Sequence, residues 1–296
     1  MPSSAASRFA ALCVVPLIVE WKPILKTLEL ASNNEEFTHI LLILPVVVTL
    51  IVIDWNALAH QSESGHRFGG SILVVAALAA ITGKLAGFTP DVQRSIAMLA
   101  VALWWIGSFV FCFGVRLARS LVFPLCFLLW IIPFPDFLLD RVVVLLQQGS
   151  AASAEFLFRL SGVPLLRDGL TLAIPGVTLE VAKECSSIRS SLLLVVTTMV
   201  LAHLFLYSPW RKLVIVAISL PLSVAKNGLR IFVIGVLGTR VDPSYMTGSF
   251  HHQGGWIFLA VALVVVFLLI WILRLGEEQT KRPDTSTMQA GAARGY

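Results

Sequence analysis

Glu184-Cys185-Ser186-Ser187-Ile188-Arg189 sits where a polar stretch turns into a long apolar run. A thiolate is a strong nucleophile, but a free thiol with a pKa near about 8.5 is mostly protonated at neutral pH. A neighbouring cation lowers that value. Arg189 lies four residues on and shares a helix face with Cys185 if the segment is helical. Taken alone, Cys185 also has a bland reading as a small buried thiol. Cys13, Cys112 and Cys126 lie within apolar runs and have only that reading.

Arg230 is the least ambiguous polar residue. A guanidinium inside a membrane helix is costly and marks function by default. The alternative is an arginine snorkelling to the interface. Against it, Ser219, Ser223, Lys226 or Asn227, and Arg230 recur every three to four residues. They form one polar stripe, which should face the interior of a helix bundle. The planar donors of Arg230 would suit a developing oxyanion.

His251-His252 follows Asp242-Pro243 and precedes Gly254-Gly255-Trp256. Interfacial histidines beside tryptophan are often belt residues. A histidine titrating near neutrality also serves as base and acid within one cycle. His39, His60, His66 and His203 are scattered and read as structural. Two adjacent histidines without further ligands do not make a zinc site, so no metal or other cofactor is expected. Glu184 either orients the histidine or merely flanks a strand, and the second reading is the simpler one.

These residues must be positioned by membrane helices. The chain of 296 residues is 57% hydrophobic and 13% charged, with a mean hydropathy of +0.86. Soluble domains are roughly 45–50% apolar and about 25% charged. Apolar runs recur over 38–54, 70–88, 95–113, 119–134, 187–207, 213–237 and 255–273, after a first run interrupted by Pro16 and Glu20. Their lengths fit helices crossing some 30 Å of hydrocarbon, and the alternating ~10-residue segments of a barrel are absent. The net charge of +5 fits cytoplasmic loops. No basic patch interleaved with aromatics indicates nucleic acid.

The segment 135–186 differs. Pro133-Phe134-Pro135 stops a helix. Residues 138–160 carry Asp140, Arg141, Gln147, Gln148, Glu155 and Arg159, which fits an amphipathic helix in the interface. Short β-rich runs flank Pro175-Gly176 and predict a hairpin over 170–181. Arg116 with Arg119, Arg211 with Lys212, and Arg274, Lys281 and Arg282 fall on one side only if 135–186 does not cross. By the positive-inside rule that side is the cytoplasm. The expected fold is therefore an all-α polytopic membrane protein. It has about eight transmembrane helices, an interfacial helix and a short β-hairpin on the outer face. Lys22, Lys26 and Arg94 fall outside and count against this orientation. Residues 1–276 form one transmembrane domain, and 277–296 form a polar, disordered cytoplasmic tail.

In this layout Cys185 and His251 lie at the outer mouths of their spans. Arg230 lies eighteen residues beyond Lys212, about 27 Å along a helix. All three reach the same depth on the same side.

The assembled boxes resemble the exosortase/archaeosortase family of membrane cysteine transpeptidases. They are Leu179 to Arg189 around Cys185, Ala225-Lys226-Asn227-Gly228-Leu229-Arg230-Ile231, and His251-His252-Gln253-Gly254-Gly255-Trp256. Asn33-Asn34-Glu35-Glu36-Phe37-Thr38-His39 is similar to the family's acidic, Ser/Thr-His entry to its second span. The resemblance covers roughly 30–275. Ser187 stands where glycine is usual, and two histidines compete for a single position, with the spacing to Gly254-Gly255 favouring His251.

The resemblance implies catalytic roles for Cys185, Arg230 and His251, with His252, Asn227, Arg189 and Glu184 in support. It implies substrates that are exported proteins with a short C-terminal motif (Pro-Glu-Pro in the bacterial branch), a hydrophobic helix and a basic tail. The setting would be the bacterial inner membrane, with the site facing outward. Whether the acyl-enzyme passes to an acceptor or to water stays open. The rival reading is a non-enzymatic transporter or scaffold for an exported polymer, with the Arg230 stripe lining a path.

Overall fold

Pro16 sits inside the first helix, α1 (Ser3–Val19). It has no N–H, so the carbonyl of Leu12 loses its helical donor. The computed structural model shows what replaces it. The Trp104 indole Nε1 donates to Leu12 O at 2.9 Å, and the Trp105 Nε1 donates to Cys13 O at 3.1 Å. A proline in a membrane helix is tolerated when a neighbour satisfies the freed backbone in this way.

The structure describes residues 3–63, 65–175, 177–181, 188–240 and 255–281. They divide between two compact units, residues 1–142 and 143–296. The first unit continues with α2 (Trp21–Asn33), α3 (Ile40–Leu58), α4 (His66–Leu85), α5 (Pro90–Ser120) and α6 (Val122–Phe127). A short 3₁₀ turn, Leu128–Ile131, follows α6.

Helices α4 and α5 approach closely because small residues line the contact. A Cβ on Gly65 would lie 2.3 Å from Val110 O, and one on Gly69 2.3 Å from the Phe111 nitrogen. Helix α5 is broken at Gly114, which has φ 87° and ψ 166°, backbone space essentially reserved for glycine. The break frees the carbonyl of Phe113, which accepts from the Glu63 N–H at 3.0 Å. Arg116 then pairs with Glu63 at 3.0 Å. Phe109 and Phe113 on α5 meet Phe9 and Trp55 edge-on at the centre of this unit's core.

Helix α7 (Asp136–Leu160) starts after the proline pair, and its Asp136 N–H donates to Asp91 Oδ2 at 3.0 Å. It continues into the second unit. There β1 (Leu166–Asp168), β2 (Thr171–Ile174) and β3 (Val177–Glu180) form an antiparallel sheet in sequence order. The register pairs Thr171 with Glu180 and Ile174 with Val177. The hairpin forms as expected, with β1 as an added strand pairing Leu166 to Ala173. Alternation along β2 buries Leu172 and Ile174. Leu172 and Val181 pack on Ala151 and Ala154 of α7, and Arg167 reaches Glu155 at 3.1 Å.

Three long helices complete this unit: α8 (Ile188–Phe205), α9 (Pro209–Arg240) and α10 (Gly255–Lys281). Their shared core includes Leu194, Ile215, Leu259 and Val266. Helix α10 runs to Lys281, and residues 282–296 of the expected tail lie outside the described residues. Glu277 is buried there and accepts from the Tyr207 and Ser208 N–H groups at 3.0 and 2.8 Å. It satisfies backbone donors at the start of α9, which accounts for an acid inside the expected tail.

The protein is an all-α multi-pass membrane protein, with 84% of its described residues helical and a small three-stranded sheet. Among the described residues six helices are long and apolar enough to cross, or up to seven if the bent pair Val122–Ile131 and Asp136–Leu160 is one span. The expected eight counted two segments that fall short. Helix α1 ends at Val19, and the run 119–134 contains only six α-helical residues of α6 before a 98° bend.

Candidate functional site

The polar stripe of α9 is buried. Ser219, Ser223, Lys226, Asn227 and Arg230 are each no more than 7% exposed. The two serines are satisfied locally, donating to Val216 O at 2.7 Å and Leu220 O at 2.8 Å. Lys226, Asn227 and Arg230 instead reach other elements of the same unit.

Lys226 Nζ donates to Ser190 Oγ on α8. Asn227 Nδ2 donates to Ser150 Oγ on α7 at 2.9 Å. This contact needs α7 and α9 close together, and Gly228 allows it. A Cβ there would sit 2.4 Å from the Ser153 side chain. The Asn227 Oδ1 is buried with no hydrogen-bond partner among the described residues. Gln147, also on α7, donates to Val181 O at 2.9 Å and fixes the end of the chain that leads from β3 toward Cys185.

Arg230 points at the start of α10. A Cβ built on Gly255 would lie 3.7 Å from a guanidinium nitrogen of Arg230. Arg189, in the first turn of α8, stacks over the Trp256 ring with its guanidinium carbon 5.3 Å from the centroid. That is cation–π distance. The α8 N-terminus, the Asn-x-x-Arg turn of α9 and the α10 N-terminus therefore meet at one place through Arg189–Trp256, Lys226–Ser190 and Arg230–Gly255.

Of the residues predicted from sequence, Arg230, Asn227 and Arg189 are brought together. Glu184, Cys185, His251 and His252 lie outside the described residues. Ser150, Ser190, Gln147 and Trp256 went unflagged as partners. Ser190 and Trp256 lie in or beside a box, whereas Ser150 and Gln147 are on α7, 77 and 34 residues from their partners, and no local signal points to them. Chemically the described cluster is rich in donors and positive charge. It suits an anionic oxygen or a thiolate, because fixed donors in a site removed from water act strongly on developing charge.

The family model for transmembrane exosortase (Exosortase_EpsH) matches residues 31–268. The chain belongs to the transmembrane exosortase family. The match takes in all three boxes and every long helix from α3 to most of α10, so the exosortase assignment covers the cluster as well as the spans. No curated protein and no solved structure matches the chain.

Proposed function

We propose that this exosortase is a membrane-embedded cysteine transpeptidase that cleaves a C-terminal sorting signal from exported proteins. The substrate would carry a short motif of the Pro-Glu-Pro kind, a hydrophobic helix and a basic tail. The Cys185 thiolate attacks the scissile carbonyl carbon, forming a C–S bond and a tetrahedral oxyanion held by Arg230. His251 takes the thiol proton and returns it to the leaving amine as the C–N bond breaks. An acceptor nucleophile, or water, then attacks the thioester and regenerates the thiol. His252 is the alternative proton carrier, Asn227 holds α9 against α7, and Arg189 and Glu184 flank the nucleophile. The site faces the periplasm across the bacterial inner membrane.

The observation that carries this reading is the seat of Arg230 against Gly255. It brings the α9 box beside the helix start that His251 precedes by four residues. Arg189 over Trp256 does the same for the box that contains Cys185. The test is co-expression with a tail-bearing exported protein, followed by mass analysis of its new C-terminus. Cys185→Ala should lower processing by several orders of magnitude, as loss of a nucleophile does. Unchanged processing by correctly inserted Cys185→Ala protein would end the proposal. A free carboxylate on the product would identify hydrolysis, and an added mass would identify transfer.

A further inference from the structure

The positive-inside argument leaves Lys22, Lys26 and Arg94 on the wrong side. In the first unit these three residues line one cavity of about 440 Å³, between the α1–α2 junction, the end of α4 and the start of α5. Lys84 lines it as well. The only carboxylate in its wall is Glu20, which is 3% exposed and paired with Lys84 at 2.5 Å. Asp91 is nearby in sequence but does not line the cavity, and its carboxylate accepts from the Asp136 N–H. Three cations are thus left over in the wall, and the Arg94 Nε is buried with no hydrogen-bond partner. Gln93 stiffens the rim by donating to Gly83 O at 3.0 Å.

A second cavity of about 210 Å³ shares Val19, Glu20, Ala80 and Lys84 with the first. It runs along α4 from Lys84 to Ala76 between α1 and α5, and Trp104 and Val101 line its side. Eight residues of helix make it about 12 Å long. Its walls are apolar apart from the shared mouth, and alanines at 76, 77, 80 and 100 keep it open. Trp21, half exposed, stands in the wall of the basic cavity, as interfacial tryptophans do at headgroup level. A basic chamber continuous with a narrow apolar slot suits an anionic headgroup and the upper part of one acyl chain.

We infer that these joined cavities bind an anionic phospholipid of the surrounding bilayer. Its phosphate sits among Lys22, Lys26 and Arg94, and one acyl chain lies in the slot between α1, α4 and α5. Basic pockets between membrane helices hold anionic headgroups in this manner. The surplus of positive charge selects a net-negative headgroup over a zwitterionic one.

The test uses the full-length protein, delipidated and returned to nanodiscs containing phosphatidylglycerol or phosphatidylcholine, with retained lipid counted by native mass spectrometry. The wild type should retain phosphatidylglycerol at least about tenfold more tightly. Lys22→Gln/Lys26→Gln, at two exposed positions, should weaken that binding about 10-fold or more. Adding Arg94→Gln should bring the loss to about 100-fold, with phosphatidylcholine binding unchanged. Ala80→Phe, which closes the slot without touching charge, should abolish retention of both lipids. Equal retention of the two lipids by the wild type would overturn the inference. So would phosphatidylglycerol binding within threefold of wild type in the folded, monodisperse double variant. Binding of inorganic phosphate that persists in Ala80→Phe would make this a free-phosphate site and overturn the lipid assignment.

Discussion

Helices α5 and α9 are nearly equal in length, at 31 and 32 residues, and both qualify as membrane spans. They bury opposite things. Helix α5 buries alanine, valine, methionine and phenylalanine, with Ser95 and Ser108 as its only buried hydroxyls. Helix α9 buries two serines, a lysine, an asparagine and an arginine. Apolar burial in α5 is what a helix does to hold a bundle together. Polar burial in α9 costs stability in a membrane and so makes this face the candidate for the place where chemistry is done. Length and hydropathy identify both as spans, and only the content of the buried face separates scaffold from site.

The sharpest way to break this contrast is Arg230→Gln. If the guanidinium holds the oxyanion, turnover should fall about 100- to 1,000-fold, the usual loss for one such donor. The measurement is the initial rate of signal cleavage at matched levels of inserted protein. A loss below about tenfold would make Arg230 a structural residue and erase the difference between the two helices.

Gly114→Ala probes α5 in return. The new Cβ would meet Glu63 O at 2.4 Å, on a backbone at φ 87°. We expect a stability loss of about 3 kcal/mol from strain and clash together. Thermal unfolding in detergent would report it. The cleavage rate per folded molecule should stay within twofold. A large loss of rate per folded molecule would mean that α5 takes part in the chemistry.

How much of this was legible beforehand follows from the range of each interaction. The stripe on α9 could be read because helical periodicity is local, and its burial follows from that period. The β2–β3 hairpin could be read from the β-rich runs around Pro175-Gly176. The strand Leu166–Asp168 could not, because three residues with two charges carry no strand pattern. The first helix looked doubtful because Pro16 interrupts it, and the remedy comes from Trp104 and Trp105, some ninety residues away. Arg189 was read through its local spacing to Cys185. Its contact with Trp256 links residues 67 apart, a distance no local rule spans. The bend between Val122–Ile131 and Asp136–Leu160 was not legible for a related reason, since 98° is a tertiary outcome that an apolar run does not announce.

Asn227→Leu sharpens the comparison from the side of α9. It removes the donor to Ser150 and places an apolar group among buried polar ones. Leaving the Ser150 hydroxyl without its donor costs about 1–3 kcal/mol. Because Asn227 is one turn before Arg230, the cleavage rate should fall as well, about tenfold, through misplacement of the guanidinium. Asn227→Gln should recover neither, as the longer side chain does not fit the buried position from which Asn227 reaches Ser150. Loss of stability with an unchanged rate would show that the stripe positions helices but not the reacting groups.

Ser95→Ala is the matching change on α5, and its effect should be the smallest. The hydroxyl lies 2.8 Å from Pro133 O and 3.0 Å from Asp91 O, but it has one proton to give. The donation that matters is to Pro133. That carbonyl opens the break before α7, whereas Asp91 O lies within the helix of Ser95 itself. Alanine leaves one buried carbonyl under-satisfied, a cost of about 1 kcal/mol. The unfolding midpoint should drop by a few degrees, and the rate of cleavage should not change. The same kind of bond, one hydroxyl tying two helical segments, would thus affect stability alone on α5. On α9 the Asn227–Ser150 bond would affect stability and rate together. If Ser95→Ala slowed cleavage as much as Asn227→Leu, buried polar bonds anywhere in the bundle would be equivalent, and the polar face of α9 would lose its claim to be the site.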